Sequence, residues 1–165
     1  MESWHQMLGG LADGRLAELK RQAFLLCGDE WLAEDLLQDA LVRTFGRPFH
    51  VPVPGTAEAY VRKVMVNLFI DQGRRRSRWT KAAPLLPRAE PVPDIAEQVA
   101  IRDAVLTAMD GLSARQRACI VLRFYEDLPV AEVARVLGLQ VGTVSRYLSE
   151  AVARLGELLS ATERR

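Results

Sequence analysis

Residues 128 to 159 read LPVAEVARVLGLQVGTVSRYLSEAVARLGELL, and this stretch decides the architecture because it spells a helix, a forced turn and a second helix. Pro129 suits the first position of a helix, where the missing N–H costs nothing, and Val130, Val133, Ala134 and Leu137 then fall on one face. Gly138 can take the left-handed conformation that ends a helix, and the small Ala134 lets a second helix cross closely. That second helix starts near Val141, with Val144, Leu148, Val152 and Leu155 predicted on its buried side. Gln140, Thr143, Ser145, Arg146 and Tyr147 are left near its exposed leading end, where such side chains can reach base edges or phosphates. An ordinary helical hairpin satisfies the same pattern, so the rest of the chain has to decide.

A chain of 165 residues can form one domain of ordinary size or two small ones, and its patterning favours two. Apolar residues make up 49% of it, enough for a core, while no apolar run approaches a membrane span. The opening MESWHQMLGG lacks the basic segment and apolar run of a secretion signal, so a cytoplasmic protein is expected. Cys27 and Cys119 stand far apart in apolar helical contexts and are expected as reduced thiols. Neither has the spacing of a zinc site, and His5 and His50 have no second ligand nearby, so neither a metal nor a cofactor is expected. The net charge of +1 says little by itself, but the charge is sorted. From Asp71 to Lys81 there are five basic residues (Arg74, Arg75, Arg76, Arg78 and Lys81) against one acid, whereas Asp29 to Asp39 holds five acids and no base.

Taken in order, residues 11 to 27 place Leu16, Leu19, Ala23, Leu26 and Cys27 at helical spacing, with Gly28 as the stop. Asp29 can cap a second helix whose apolar side carries Leu32, Leu36, Leu37, Leu41 and Phe45, closed by Gly46. On its other side Glu34, Asp35, Gln38 and Asp39 form one stripe, which by itself reads as a solvated acidic face. Three prolines make residues 46 to 56 a loop. Thr56 then caps a helix with Ala59, Val61, Val64, Met65, Leu68 and Phe69, which runs into the arginine cluster. Residues 82 to 94 carry four prolines and read as a linker. Beyond it, Asp94 and Glu97 cap a helix with Ile95, Val99, Ile101, Val105, Leu106 and Met109 that ends at Gly111. Ser113 and Gln116 form a capping box opening a helix with Ile120, Val121 and Phe124 inward, and this leads into the helix-turn-helix. No strand pattern occurs, and the expected fold is all-α: two small helical domains, residues 11–80 and 95–160, joined by a proline-rich linker at 81–94.

Together these stretches resemble the extracytoplasmic-function (ECF) group of bacterial RNA polymerase sigma factors over nearly the whole chain. AEDLLQDAL (33 to 41) is similar to the family's core-polymerase-binding helix, and AYVRKVMVNLFIDQGRRR (59 to 76) to the segment that opens and reads the downstream promoter element. LSARQRACIVLRFYEDLPVAEVARVLGLQVGTVSRYL (112 to 148) is similar to the upstream-element reader. The resemblance implies that Glu34, Asp35, Leu36, Gln38 and Asp39 dock on the polymerase's largest subunit. It implies that Asn67 captures a base flipped from the non-template strand, since an amide can donate and accept at once on an unpaired pairing edge. Tyr60 matches an aromatic near the melting duplex but fits a core tyrosine equally well. Arg62, Lys63, Arg74, Arg75, Arg76 and Arg78 are implied to hold phosphates, although a solvated basic tail is the alternative for the cluster.

In the second domain the resemblance implies that the helix from Val141 enters the major groove, with Gln140, Thr143, Ser145, Arg146 and Tyr147 nearest the bases and Arg146 the first choice for a guanine. Family members commonly carry several basic residues here. This chain has Ser145, Tyr147, Ser149 and Glu150 instead, so support is expected from Arg115, Arg117 and Arg123. The implied function is a dissociable specificity subunit that binds core RNA polymerase, directs it to promoters and helps open them. Its expected partners are core polymerase, promoter DNA as duplex and melted strand, and an anti-sigma protein. No nucleophile–base pair, phosphate-cradling glycine loop or metal cluster is present in the sequence, so no enzymatic activity is expected. Two rival readings remain: a regulator whose first domain is a ligand or dimerisation module with an effector cavity, and a helical adaptor that binds only protein.

Overall fold

The computed structural model describes residues 14–46, 57–79 and 96–164. Among these, the chain forms α1 (Arg15–Cys27), α2 (Glu30–Phe45), α3 (Ala57–Trp79), α4 (Ala96–Asp110), α5 (Ala114–Ile120), α6 (Val130–Leu137) and α7 (Val141–Glu163), and no strand. A π-helical turn, Val121–Tyr125, continues α5. The all-α expectation is met. The proline-rich loop, the linker and the caps expected at Thr56 and Asp94 lie outside the described residues.

Local chemistry sets the ends of the helices. Gly28 closes α1 in the left-handed conformation, with φ of 71° and its N–H on the Phe24 carbonyl at 2.7 Å. The Asp29 carboxylate accepts the Leu32 N–H at 3.0 Å and caps α2. Ser113 and Gln116 form the expected reciprocal box, with the Gln116 N–H on the Ser113 hydroxyl at 3.2 Å and the Ser113 N–H on the Gln116 amide oxygen at 3.1 Å. Pro129 sits one position earlier than expected, as the residue before α6, where its carbonyl accepts the Val133 N–H at 3.0 Å. Gly138 has φ of 63° and nothing near the place of a Cβ, so an alanine there would cost only the left-handed backbone, about 1–2 kcal/mol.

Leu19, Ala23 and Leu26 of α1, Ala33, Leu36, Leu37 and Ala40 of α2, and Val61, Met65, Val66 and Leu68 of α3 bury one three-helix core. Leu16, in the first turn of α1, stays exposed. Around α7, the helices α4, α5 and α6 bury Leu106, Met109, Ala118, Val133, Ala134, Val144 and Ala151.

Four further apolar positions differ from expectation. Val152 is 51% exposed and Ala151 is fully buried in its place, because Ala151 lies about 20° around the helix from Val144 and Val152 about 80°. Phe124, expected inward, is 61% exposed because the wider π turn rotates it out of the face set by Ile120 and Val121. Ile101 and Val105 of α4 are also exposed.

The helices before residue 80 and those after 95 share one continuous core. α3 packs on α5 and α6, and α1 packs on the π turn. A Cβ built on Gly73 of α3 would lie 2.5 Å from the Ala114 Cβ, so α3 and α5 approach as closely as a bare backbone allows. Arg117 of α5 donates from Nε to the Leu25 carbonyl at 2.8 Å and from Nη1 to Asp110 at 2.7 Å.

Candidate functional site

Three surfaces gather the chemistry. On α2 the buried positions Ala33, Leu36, Leu37, Ala40 and Thr44 fix which side faces out, and Glu34, Asp35, Gln38 and Asp39 occupy that outer side. Leu36 does not join them. It is fully buried, so it cannot touch a partner while α2 is folded, and the expectation of a direct polymerase contact is corrected to core support. Sequence reasoning missed Trp31, 86% exposed, and Val42, 68% exposed, which fall on the midline of the same outer face with Asp35 and Gln38. The signal was available, since 31, 35, 38 and 42 are spaced by four, three and four. An aromatic and a branched apolar side chain among carboxylates make a protein-docking surface more credible than a solvated acidic one.

Along α3, Tyr60, Lys63, Asn67 and Arg74 recur at intervals of three, four and seven and so share one side of the helix, on which Ile70 is also placed but buried, while Val61 and Met65 face away from it. Lys63, Arg74 and Arg75 are exposed, and Tyr60 and Asn67 are half-buried. A half-buried amide on a line with exposed cations can receive a planar base while the cations hold the backbone. Arg62 is not on this stripe. It points to the other side of α3, with Nη2 3.0 Å from Glu58 and 3.0 Å from Glu126, the residue that follows the π turn. The side chains of Arg76 and Arg78 lie outside those described.

On the third surface, Gln140 precedes α7 without using its side chain as a cap, and Ser145 and Arg146 are exposed beyond it. Thr143 and Tyr147 are half-buried. Arg146 lies 5.4 Å from the Tyr147 ring centroid and 3.8 Å from Glu150, while Arg115 of α5 donates to the Tyr147 hydroxyl at 3.3 Å. Arg115, Arg146 and Tyr147 therefore form one patch, held on its flank by Gln116 donating to Glu150 at 3.1 Å. Arg123 pairs with Asp127 at 3.5 Å and stacks near Phe124. Arg117, expected in this group, has its side chain only 6% exposed and is engaged by Asp110 and Leu25. It does not face DNA in this arrangement.

Electrostatics at the junction of the two halves is tight. Burial pushes the Glu126 carboxyl above its usual range, with Arg62 pulling the other way and Glu58 and Glu18 adding to the rise. The Tyr125 hydroxyl donates to Glu18 at 3.3 Å, and burial together with Glu18 raises it. Both cysteines are free thiols, and burial lifts Cys119 to about 11. Among the described residues no three His, Cys, Asp or Glu side chains gather as a metal site, and no helix is long and apolar enough to cross a membrane.

A cleft of about 430 Å³ opens between α1, α2, α4 and the π turn, lined by Phe24, Leu25, Arg102 and Tyr125 among others. Its lining includes neither Asn67 nor Arg74 or Arg75.

Residues 12–79 match the family Sigma-70 region 2, and residues 102–155 match Sigma-70, region 4. The chain is 38% identical over 145 residues to the RNA polymerase sigma-E factor of Streptomyces coelicolor, covering 88% of this chain and 81% of that one. It is 32% identical to the ECF RNA polymerase sigma factor SigM of Mycobacterium tuberculosis over 86% of this chain and 71% of the relative. Among solved structures it superposes with a TM-score of 0.69 on the sigma factor RpoE from Bartonella quintana, determined in complex with the anti-sigma factor NepR. The identity there is 26%, over 88% of this chain and 91% of that one. With both regions in order on one helical chain, and relatives of this closeness spanning both, the protein belongs to the extracytoplasmic-function sigma factors of RNA polymerase.

Proposed function

We propose that the chain works as a cytoplasmic specificity subunit with three separable grips and no catalysis of its own. The outer face of α2, with Glu34, Asp35, Gln38 and Asp39 and the added Trp31 and Val42, docks on core polymerase. The α3 stripe captures and holds the melted non-template strand, with Asn67 on a flipped base, Tyr60 beside it, and Lys63, Arg74, Arg75, Arg76 and Arg78 on phosphates. The start of α7 reads the upstream duplex through Gln140, Thr143, Ser145 and Arg146, with Arg115 and Tyr147 at the flank. Residues 11–80 and 95–160 are the two working modules, and 81–94 is the linker that lets them reach separate promoter elements. Promoter DNA and core polymerase are the partners, and an anti-sigma protein is the regulator.

The observation that carries this reading is the common line of Tyr60, Lys63, Asn67 and Arg74 along one face of α3, exposed at Lys63 and Arg74 and half-buried at Tyr60 and Asn67, with the buried Ile70 beside them. A ligand-sensing or dimerising domain has no use for an amide set among outward cations. Melting is then driven by base capture and polymerase contacts. The test is Asn67→Ala in holoenzyme: permanganate reactivity of the promoter bubble should fall at least about tenfold while core binding stays unchanged. Loss of core binding together with melting would move Asn67 out of the DNA site.

A further inference from the structure

Between Val141 and Glu150 the leading part of α7 carries a single acid, Glu150, and it stands on the reading face. It follows Thr143 by seven residues and Arg146 by four, so all three share one side of the helix. A carboxylate there repels phosphates and weakens attraction to DNA of every sequence. Its contacts give it a second task. One oxygen, Oε2, accepts from Gln116 Nε2 of α5 at 3.1 Å, and the other, Oε1, faces Arg146 Nε at 3.8 Å. Gln116 keeps its orientation because its amide oxygen already accepts the Ser113 N–H at 3.1 Å in the capping box, which leaves its nitrogen for Glu150. On its other flank the Arg146 guanidinium lies 5.4 Å from the centroid of the Tyr147 ring. Tyr147 packs against the core and accepts at its hydroxyl from Arg115 at 3.3 Å. Arg146 therefore sits between a carboxylate and an aromatic face, each anchored on α5.

We propose that Glu150 is a positioning residue that sets the selectivity of the upstream reader: it holds Arg146 toward a base edge, lowering affinity for DNA in general while sharpening preference at the base pair Arg146 reads. The inference rests on the reading of α7 as the upstream-duplex reader and adds the neighbour that makes its arginine selective. A long guanidinium in a major groove has two kinds of partner, a base edge that carries sequence and a phosphate that does not. With 64% of its side chain exposed, Arg146 has reach enough for either. The charge of Glu150 keeps the guanidinium beside α7 and phosphates away from it, so swinging to the backbone is penalised whatever the sequence. Ordering the side chain beforehand also reduces the rotamer freedom lost on docking. An exposed ion pair is weak, so the effect is a small multiple in discrimination.

The experiment uses holoenzyme assembled from core polymerase and the full-length chain, on a promoter library in which each base pair of the upstream element is varied in turn. Relative run-off yields give the preference at each position. Glu150→Ala, a change at an exposed helix position, should raise the yield from poorly matched promoters and reduce the preference at the Arg146 position about two- to fivefold, with other positions unchanged. In an Arg146→Ala background the same substitution should reduce that preference no further, since the brace has nothing left to hold. Equal gains on all promoters would make Glu150 a charge and nothing more. Loss of preference at a different base pair would make it a reader in its own right, with its carboxylate on a cytosine amino group. Additive losses in the double variant would make the two residues independent. Each of these three results overturns the positioning role. Preference relaxed by Arg146→Ala and untouched by Glu150→Ala sinks the brace alone, whereas preference untouched by Arg146→Ala sinks the reading of α7 and the brace with it.

Discussion

Arg117 and Leu25, 92 positions apart in the sequence, are joined by a 2.8 Å hydrogen bond from Nε to the backbone carbonyl, so the two sigma regions meet through a buried guanidinium. Removing that side chain leaves a part-buried carbonyl without this donor and breaks the 2.7 Å contact to Asp110. Arg117→Ala should lower unfolding stability by about 1–3 kcal/mol, and Arg117→Met, which keeps the apolar stem, by less. Denaturant unfolding followed by circular dichroism measures both. Equal stability of the alanine variant and wild type would show that the bond is not formed in solution.

The outer face of α2 makes a prediction of the opposite kind. Because Trp31 is almost wholly exposed, Trp31→Ala should leave the melting temperature unchanged while weakening association with core polymerase about tenfold or more. Reversing both Asp35 and Asp39 to lysine should weaken it too, chiefly through the association rate and in a salt-dependent way. Surface plasmon resonance with immobilised core distinguishes the two. Unchanged affinity in both would remove α2 from the interface.

How much of this was legible in the sequence depended on range. Gly28, Asp29, the Ser113–Gln116 box and Gly138 act within four residues of themselves, and each terminates or starts its helix where expected. Helical arithmetic found the acidic side of α2 as well, whereas Tyr60 and Asn67 came from the family resemblance. Arg62 and Arg117 also engage Glu126 and Leu25, which lie 64 and 92 positions away, so nothing local announces those contacts. Phe124 turned outward because a π turn changes the winding, an event that an assumed 3.6-residue period cannot register. Leu36 was carried into the docking set by its neighbours in the motif, although its own position on the apolar side of α2 already marked it as core.

Glu126 gives a pH prediction. Its carboxyl is raised by burial, so the packed arrangement binds its proton more tightly than the separated one. As the pH falls through its raised range its protonation should therefore tighten the contact between the halves. Protection factors for hydrogen exchange at the α1 and π-turn amides, taken against the intrinsic rate at each pH, should rise over that range, and Glu126→Gln should abolish the change. Protection factors that fall on acidification would mean that the Arg62 attraction outweighs burial.

Gln22 is fully buried in α1, and among the described residues neither its amide nitrogen nor its oxygen finds a hydrogen-bond partner. Gln22→Met keeps the volume and removes the buried polar group, so it should raise stability by about 1–2 kcal/mol. Thermal unfolding checks it. A loss of similar size would show that the amide is satisfied in solution.

The central claim is that this chain confers promoter choice on RNA polymerase by pairing strand capture at α3 with duplex reading at α7. Run-off transcription from a promoter library with purified core polymerase tests it most directly. Transcripts are expected from a defined subset and should require the chain, with Asn67→Ala abolishing them and Arg146→Ala relaxing the preference at one upstream position by about 1–3 kcal/mol. A library transcribed identically with and without the chain would contradict it.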